Sequence, residues 1–417
     1  MEIGNHDKDV ASMVCFSELE KWTRLKAQGF IQSVLEEEVT QFFGRAKSER
    51  VGKGVDEVEG YRNGFGRPRK LAMSNGTVEL RRPRLRDIEE NFESRVLPLF
   101  RRQTKEVGEL LPELYLHGLS SGDFELAMRG LLGDGAPLSA SSIQRLKAKW
   151  ELEFDEWKKK DLSHLEVVYW WADGLYVKAG IEDRKTALLV IIAALSSGDK
   201  IFLAMDSGER ESKESWLKVL RSLKSRGLKF PKATVADGAL GIWSALGEIH
   251  PEGDEQRCWN HKITNVLDDL PKKEQLKASE LLCTIPYADT KEECEKRRDE
   301  FIHHYEKTDK KAVETLLRDW DRMVTFYSYP KEHWKHLRTT NIVESPFSSI
   351  RLRTDASRRF KRVEGARAMI WKLMGVAQKN WHKLNAPGLL KSVYEGKKFE
   401  DGLAVVEIVS GETAAAA

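Results

Sequence analysis

The spacing of hydrophobic and polar positions changes several times along the chain, and each change marks an element. Up to about Lys53, Phe30, Val34, Val39 and Phe42–Phe43 recur at roughly helical intervals among Glu and Gln, which predicts a helical first block. Gly60–Gly66 and Asn75–Gly76 read as turns. Thr77–Arg81 alternates as a short strand that Pro83 confines to an edge or an end. Val107–His117 reads as a helix stopped by Gly118. Asp123–Leu132 follows as a second helix capped by Ser120 or Ser121. Ser141–Trp150 is a third, capped by Ser139 after the turn Gly133–Pro137. That is a helix-turn-helix pattern, and the third helix carries Gln144, Arg145, Lys147 and Lys149 on its polar faces, side chains able to reach base edges and phosphates. An ordinary helical hairpin would give the same pattern.

From Glu166 the period shortens. Val167–Ala172 is a continuous apolar run ending in Asp173, and Tyr176–Ala179, Lys185–Ala194 and Lys200–Met205 read as strands. Lys213–Arg226 is an amphipathic helix with Trp216, Leu217, Leu220 and Leu223 on one face. Ala233–Ala236 is a buried strand ending in Asp237, Ala239–Leu246 a helix, and Gln256–Trp259 a further strand. Three strands, a helix, a strand, a helix and a strand is the order of a ribonuclease H-like α/β domain, and near-continuous apolar strands predict helices on both sheet faces. Lys262–Trp334 returns to a charged helical pattern that includes Thr290–Lys307 and Lys310–Tyr327, and Asn341–Lys379 is again largely helical. The expected organisation is a mainly α-helical DNA-binding region with short strands over 1–105 and a helix-turn-helix segment over 106–160. The ribonuclease H-like domain follows over 161–262, an α-helical insertion over 263–335, the last catalytic helix and C-terminal helices over 336–400, and a tail over 401–417.

The chain has 417 residues, 41% hydrophobic and 32% charged, enough for two or three domains and a sizeable core. A net charge of +3 does not announce a nucleic-acid partner, but its distribution does. Gly60–Asp87 holds eight Lys/Arg against two acids, and Ser345–Arg367 seven against two. These stretches single out Arg62, Arg67, Arg69, Arg81, Arg82 and Arg84, and Arg351, Arg353, Arg358 and Arg359, as phosphate contacts beside Gln144, Arg145 and Lys147. For any one stretch a solvated charged face is the plainer alternative. Cys15, Cys258, Cys283 and Cys294 form no Cys-x-x-Cys pair, which predicts reduced thiols in a cytoplasmic protein. The N-terminus is too rich in acids for a secretory signal, and the apolar run Thr186–Leu195 is too short to cross a bilayer.

Candidate chemistry begins with two matched patterns, Ala-Asp173-Gly and Ala-Asp237-Gly, each directly after an apolar strand run. Ligand sites of open α/β sheets form at the carboxyl ends of strands, and two acids there make an anionic cup suited to magnesium or manganese. Asp-Gly is also a common turn dipeptide. Glu344 lies in Leu337–Phe347, where Asn341-x-x-Glu344 fits a capping box. Pro346 would sit deep in such a helix, so a start with Ser345 as cap and Pro346 first is the alternative. Cys258-Trp-Asn-His261 is a Cys-x-x-His pair, either half of a zinc site that needs two more ligands or a buried orienting pair. Trp320, in the charged helical segment, is a candidate to stack on a flipped base, with core packing the other reading.

These residues resemble the bacterial mutator-type insertion-sequence transposases. The likeness rests on Gly60-Tyr-Arg-Asn-Gly, Gly76–Arg81, Leu119–Leu146, Ala172-Asp-Gly-Leu-Tyr-Val-Lys, Gln256-Arg-Cys-Trp-Asn-His-Lys and Leu337-Arg-Thr-Thr-Asn-Ile-Val-Glu-Ser, in matching order and spacing. The resemblance implies a ribonuclease H-like domain interrupted by an α-helical insertion, with Asp173, Asp237 and Glu344 as the catalytic, metal-binding (DDE) triad for Mg2+ or Mn2+. Cys258 and His261 match the family's motif beside that site. It further implies binding to terminal inverted repeats and target DNA, cleavage and 3′-hydroxyl strand transfer through a circular copy-out intermediate, and a homodimer or larger assembly on DNA. It places the protein, with no membrane partner, in the bacterial cytoplasm at the nucleoid. The alternatives are a hydrolytic nuclease or junction resolvase on the same fold, and a non-catalytic DNA-binding protein descended from a transposase.

Overall fold

The computed structural model describes residues 16–49, 59–118, 124–132, 140–179, 185–208, 210–238, 240–356 and 360–405. Two compact units divide the chain, Met1–Leu146 and Lys147–Ala417. Among the described residues no helix is long and apolar enough to cross a membrane.

In the first unit helix α1 (Leu19–Phe43) buries Leu35, Val39 and Phe43. It stops at Gly44, short of the expected Lys53, because Gly44 takes the left-handed conformation (φ +66°) that ends helices. Strands β1 (Tyr61–Phe65), β2 (Arg69–Met73), β3 (Gly76–Leu80) and β4 (Pro83–Arg86) make two antiparallel pairs, β1 with β4 and β2 with β3. Gly60–Gly66 is therefore mostly strand, not turn. β4 supplies the ladder partner, and the register slips between Arg62 and Phe65, where Gly64 holds a φ of +64°. Leu71, Val78, Leu80 and Leu97 close a small core with Leu35. Helices α2 (Lys105–Leu116) and α3 (Phe124–Leu132) follow, and α4 (Ala140–Trp157), which runs past the expected Trp150, carries the chain from the first unit into the second. Ser120, Ser121, Ser139 and the turn 133–137 lie outside the described residues.

The second unit is built on strands β5 (Val167–Lys178), β6 (Lys185–Leu195), β7 (Lys200–Gly208), β8 (Ala233–Ala236) and β9 (Asp254–Arg257), with α5 (Lys213–Ser225) and α6 (Leu240–Ile249) between them. The sheet order is β7-β6-β5-β8-β9. β5, β6 and β7 are mutually antiparallel, whereas β8 pairs parallel with both β5 and β9. Both faces are covered, and the side-chain alternation of β5 shows how. Trp170 and Ala172 join the core made with Trp216, Leu220 and Leu223 of α5. Tyr169, Trp171, Leu175 and Val177 join the opposite core, which contains the helices after β9. Burial on two sides explains why these strands read as unbroken apolar runs.

Two expectations change here. β5 does not end at Asp173, and Tyr176–Ala179 is not a separate strand. The antiparallel ladder with β6 runs on to Lys178↔Lys185, so Asp173-Gly174 is taken up by a strand and not by a turn. β9 stops at Arg257, two residues before the expected end, because Cys258 already caps the next helix, α7 (Trp259–Asp268).

The helices α8 (Lys272–Thr284), α9 (Lys291–Tyr305), α10 (Lys310–Leu317), α11 (Trp320–Met323) and α12 (Trp334–Leu337) then pack on the second core. Lys310–Tyr327 is not one helix. It breaks after Leu317, where Asp319 is left-handed (φ +60°) and bonded to the guanidinium of Arg257 at 2.9 Å. The fully buried Lys262 donates to the carbonyls of Thr315 (2.7 Å) and Arg318, satisfying the exposed helix end. α13 (Asn341–Ala356), α14 (Val363–Gln378) and α15 (Pro387–Tyr394) complete the unit, with Val343, Phe347 and Ile350 of α13 buried in the same core.

Candidate active site

Asp173 and Asp237 are brought together by strand register. β8 pairs with β5 in parallel up to Ala172↔Ala236, so the next residue on each strand is an aspartate at the same level. Asp173 follows the parity of Trp171 and Leu175, and Asp237 that of Ala233 and Val235. Both therefore lie on the sheet face that α13 covers. Asp237 is held from behind: the Arg257 guanidinium lies 3.4 Å from its carbonyl oxygen and occupies the space a Cβ at Gly238 would need. Gly238 has a φ of +98°, so glycine is required there on two counts.

A third carboxylate stands with them. One ligand oxygen each from Asp173, Glu211 and Asp237 lie within 4.8 Å of one another. Asp173 is 9% exposed and accepts from the N–H of Gly174 at 2.8 Å. Burial pushes its carboxyl up to about 7, against that bond and with help from the charges of Asp237, Glu211 and Glu344. Burial and the charge of Asp237 also raise Glu211. Hard oxygen donors gathered this closely fit a divalent cation.

The shift of Asp173 carries a stability consequence. A carboxyl raised from 3.8 to about 7 costs the metal-free fold nothing below pH 4, progressively more between 4 and 7, and its full amount above 7. In EDTA, Asp173→Asn should therefore melt higher than the parent at pH 8 and equally at pH 4, a difference of about 4 kcal/mol at most. Thermal melts across that range check it, and a parent that gains stability relative to the variant as pH rises would contradict it.

Glu344 belongs to an adjoining cluster. Its ligand oxygen groups with Cys258 Sγ and His261, again within 4.8 Å. The α13 N-terminus is docked on the carboxyl edge of the sheet by a short relay. Cys258 N–H donates to Ala236 O at 2.8 Å, Trp259 N–H to Arg338 O at 2.8 Å, and Thr340 N–H to Cys258 Sγ at 3.3 Å. The Thr340 hydroxyl lies against the Glu344 carboxylate, 3.2 Å from Cys258 Sγ and 3.5 Å from His261 Nδ1. It has one proton to give, and the carboxylate is the stronger acceptor. His261 Nδ1 is 3.8 Å from Glu344 Oε1. The bond to Cys258 pushes the imidazole up to about 9 against burial, with the charges of Cys258, Glu344 and Asp237 adding to it.

The local reading of Glu344 is corrected in two ways. The cap residue is Thr340, not Asn341: its carbonyl accepts from the N–H groups of Val343 (2.9 Å) and Glu344 (3.0 Å). The helix also runs through Pro346 and does not start there. The pair Cys258 and His261 meets Glu344 and Thr340, not Cys283, Cys294, His303 or His304.

The remaining candidates are scattered. Arg62 spends its guanidinium on Thr40, Arg45 and Ala46, and Arg69 donates to Arg101 O at 3.1 Å. Arg67, Arg81 and Arg84 are exposed, as are Gln144 and Arg145, while Arg82 and Lys147 are half-buried. Arg351 is exposed, but Arg353, two residues on, is 6% exposed and turned inward, away from any phosphate at the surface. Arg358 and Arg359 lie outside the described residues. Trp320 packs edge-on to Trp259 at 5.9 Å, and the Arg298 guanidinium lies 4.6 Å from its ring centre, which is core-type packing. Sequence reasoning missed Glu211 and Thr340. Glu211 is an acid just before a helix cap, Ser212, a position where acids are commonplace.

The geometry defines an α/β scaffold with a cluster of acids at the carboxyl edge of its sheet. The chain belongs to the Mutator family of transposases, whose profile matches residues 9–384. It is 41% identical over 296 residues, 71% of this chain and 92% of the relative, to the transposase for insertion sequence element IS6120 of Mycolicibacterium smegmatis. It is 38% identical over 279 residues (66% and 94%) to that for IST2 of Acidithiobacillus ferrooxidans. It is 28% identical over 379 residues (88% and 90%) to that for ISRM5 of Rhizobium meliloti.

Proposed function

We propose that this transposase cuts the ends of an insertion sequence and joins them to target DNA with a divalent cation held by Asp173, Asp237 and Glu344. The observation that carries the reading is the parallel register Ala172↔Ala236, which sets two aspartates side by side on the face covered by the Glu344 helix. The strand order, with three antiparallel strands and two parallel ones added beside the first, supports a ribonuclease H-like domain. The helices from α8 to α12 are then its insertion. Bound there, Mg2+ or Mn2+ would polarise the scissile phosphate and favour the ionised attacking oxygen. The chain's own part is to hold three like charges in place, with Gly174 N–H orienting Asp173, Arg257 bracing Asp237, and Thr340 with His261 orienting Glu344. Exposed Arg351 and the basic stretch 60–87 are proposed to neutralise DNA phosphates. The substrates are the element's terminal inverted repeats and target DNA, bound by a homodimer or larger assembly. A circular copy of the element is the proposed intermediate, detectable in cells as an end-to-end junction.

Joining a labelled element end to supercoiled plasmid tests the reading. With Mg2+, labelled plasmid should form, and EDTA should stop it. Cleavage without joining would favour a hydrolytic nuclease, and binding without either reaction a non-catalytic descendant.

A further inference from the structure

We infer that Glu211 is a further ligand of the cation at the Asp173–Asp237 site, a fourth carboxylate beside the three of the proposed set. This rests on the metal reading proposed above and extends it. Of the four carboxylates near the site, the ones whose oxygens converge within 4.8 Å are Asp173, Asp237 and Glu211. Glu344 converges instead with Cys258 and His261.

The fold makes room for Glu211 at two places. A Cβ on Gly174 would strike the Glu211 carboxylate, and one on Gly241 would strike the Glu211 carbonyl oxygen and the backbone of Ser212 and Lys213. Neither glycine has a positive φ; at Gly241 the backbone at Glu211 leaves no space for a side chain, and at Gly174 the Glu211 carboxylate occupies the space one would take. Directly after Glu211 the chain is held, because the Ser212 hydroxyl accepts from Ser215 N–H at 3.2 Å and starts α5. The hydroxyl of Tyr176, two residues beyond Gly174 on β5, is near enough to Glu211 for each group to shift the other's titration.

Glu211 is half-buried, and burial together with the charge of Asp237 disfavours its ionised form. Packing a third carboxylate against two others without a metal is unfavourable, so its placement makes physical sense as ligation.

Mn2+ titration of the metal-free, full-length protein, followed by calorimetry and by the electron paramagnetic resonance of free Mn2+, tests this. Glu211→Gln should weaken Mn2+ binding at least about tenfold, or remove one of two bound ions, with no loss of metal-free melting temperature. Tyr176→Phe, which removes the hydroxyl but no charge, should stay within about threefold of the parent. Binding by Glu211→Gln equal to the parent, while Asp237→Asn loses it, would overturn the role of Glu211 and leave the aspartate pair standing. Equal binding by both variants would overturn the metal reading of the whole site. Should Glu211→Gln not fold, Glu211→Asp keeps the charge and withdraws it by one methylene. The same weakening is then expected, and unchanged binding overturns the proposal.

Discussion

Asp173→Asn and Asp237→Asn should each slow strand joining by at least about a thousandfold while leaving affinity for a terminal-repeat duplex within about twofold. Asparagine keeps the shape of each side chain. At position 173 its carbonyl still accepts from Gly174 N–H, and at position 237 the backbone carbonyl still faces Arg257. What disappears is one unit of negative charge in a site buried enough to push Asp173 up to about 7. There a cation is held by charge that solvent screens poorly, so one missing charge outweighs one missing hydrogen bond. The DNA-binding candidates lie on other elements, from Arg62 on β1 to Arg351 on α13, so duplex affinity should not follow the chemistry. Joining of labelled ends and gel-shift titration on the same preparations measure the two separately. Joining by either variant within tenfold of the parent would remove that aspartate from the site.

How much of this was legible in the sequence depends on how local each cause is. The pairing of the two aspartates could be read because each follows a matched apolar run that sets strand and burial, although either Asp-Gly alone is an ordinary turn. The reading still erred on β5. Asp-Gly is a turn dipeptide, and only the long ladder with β6, a nonlocal fact, carries the strand through it. The break after Leu317 was hidden for the same reason. It is stabilised by Lys262 and Arg257, more than fifty residues earlier in the chain, and nothing in Lys310–Tyr327 itself marks it. Glu211 left no signal at all. An acid before a helix cap is ordinary, and its meaning arises only where its side chain comes to lie against Gly174 of β5. For Glu344 local rules gave the wrong cap. Thr340 is chosen over Asn341 by Cys258, whose sulfur accepts the Thr340 N–H, a contact across eighty-two residues.

Glu344→Gln should abolish strand joining to the same extent, by at least about a thousandfold, without lowering the melting temperature of the metal-free protein. The glutamine carbonyl can still accept from the Thr340 hydroxyl, so the start of α13 keeps its anchor. The charge is lost, and with it the field that already reaches Asp173. If Glu344 served only to fix the helix, this variant would be nearly silent, and Thr340→Val would be the damaging change. If Glu344 is a ligand, the order reverses. Glu344→Gln is then inactive, and Thr340→Val, which frees the carboxylate from one partner but keeps its charge, retains measurable joining at roughly a tenth of the parent rate. Glu211→Gln assayed beside them decides which glutamate completes the aspartate pair. Joining retained by Glu344→Gln and lost by Glu211→Gln would move the third acid from α13 to the segment before α5. Loss in both is the outcome expected of four carboxylates sharing the cations.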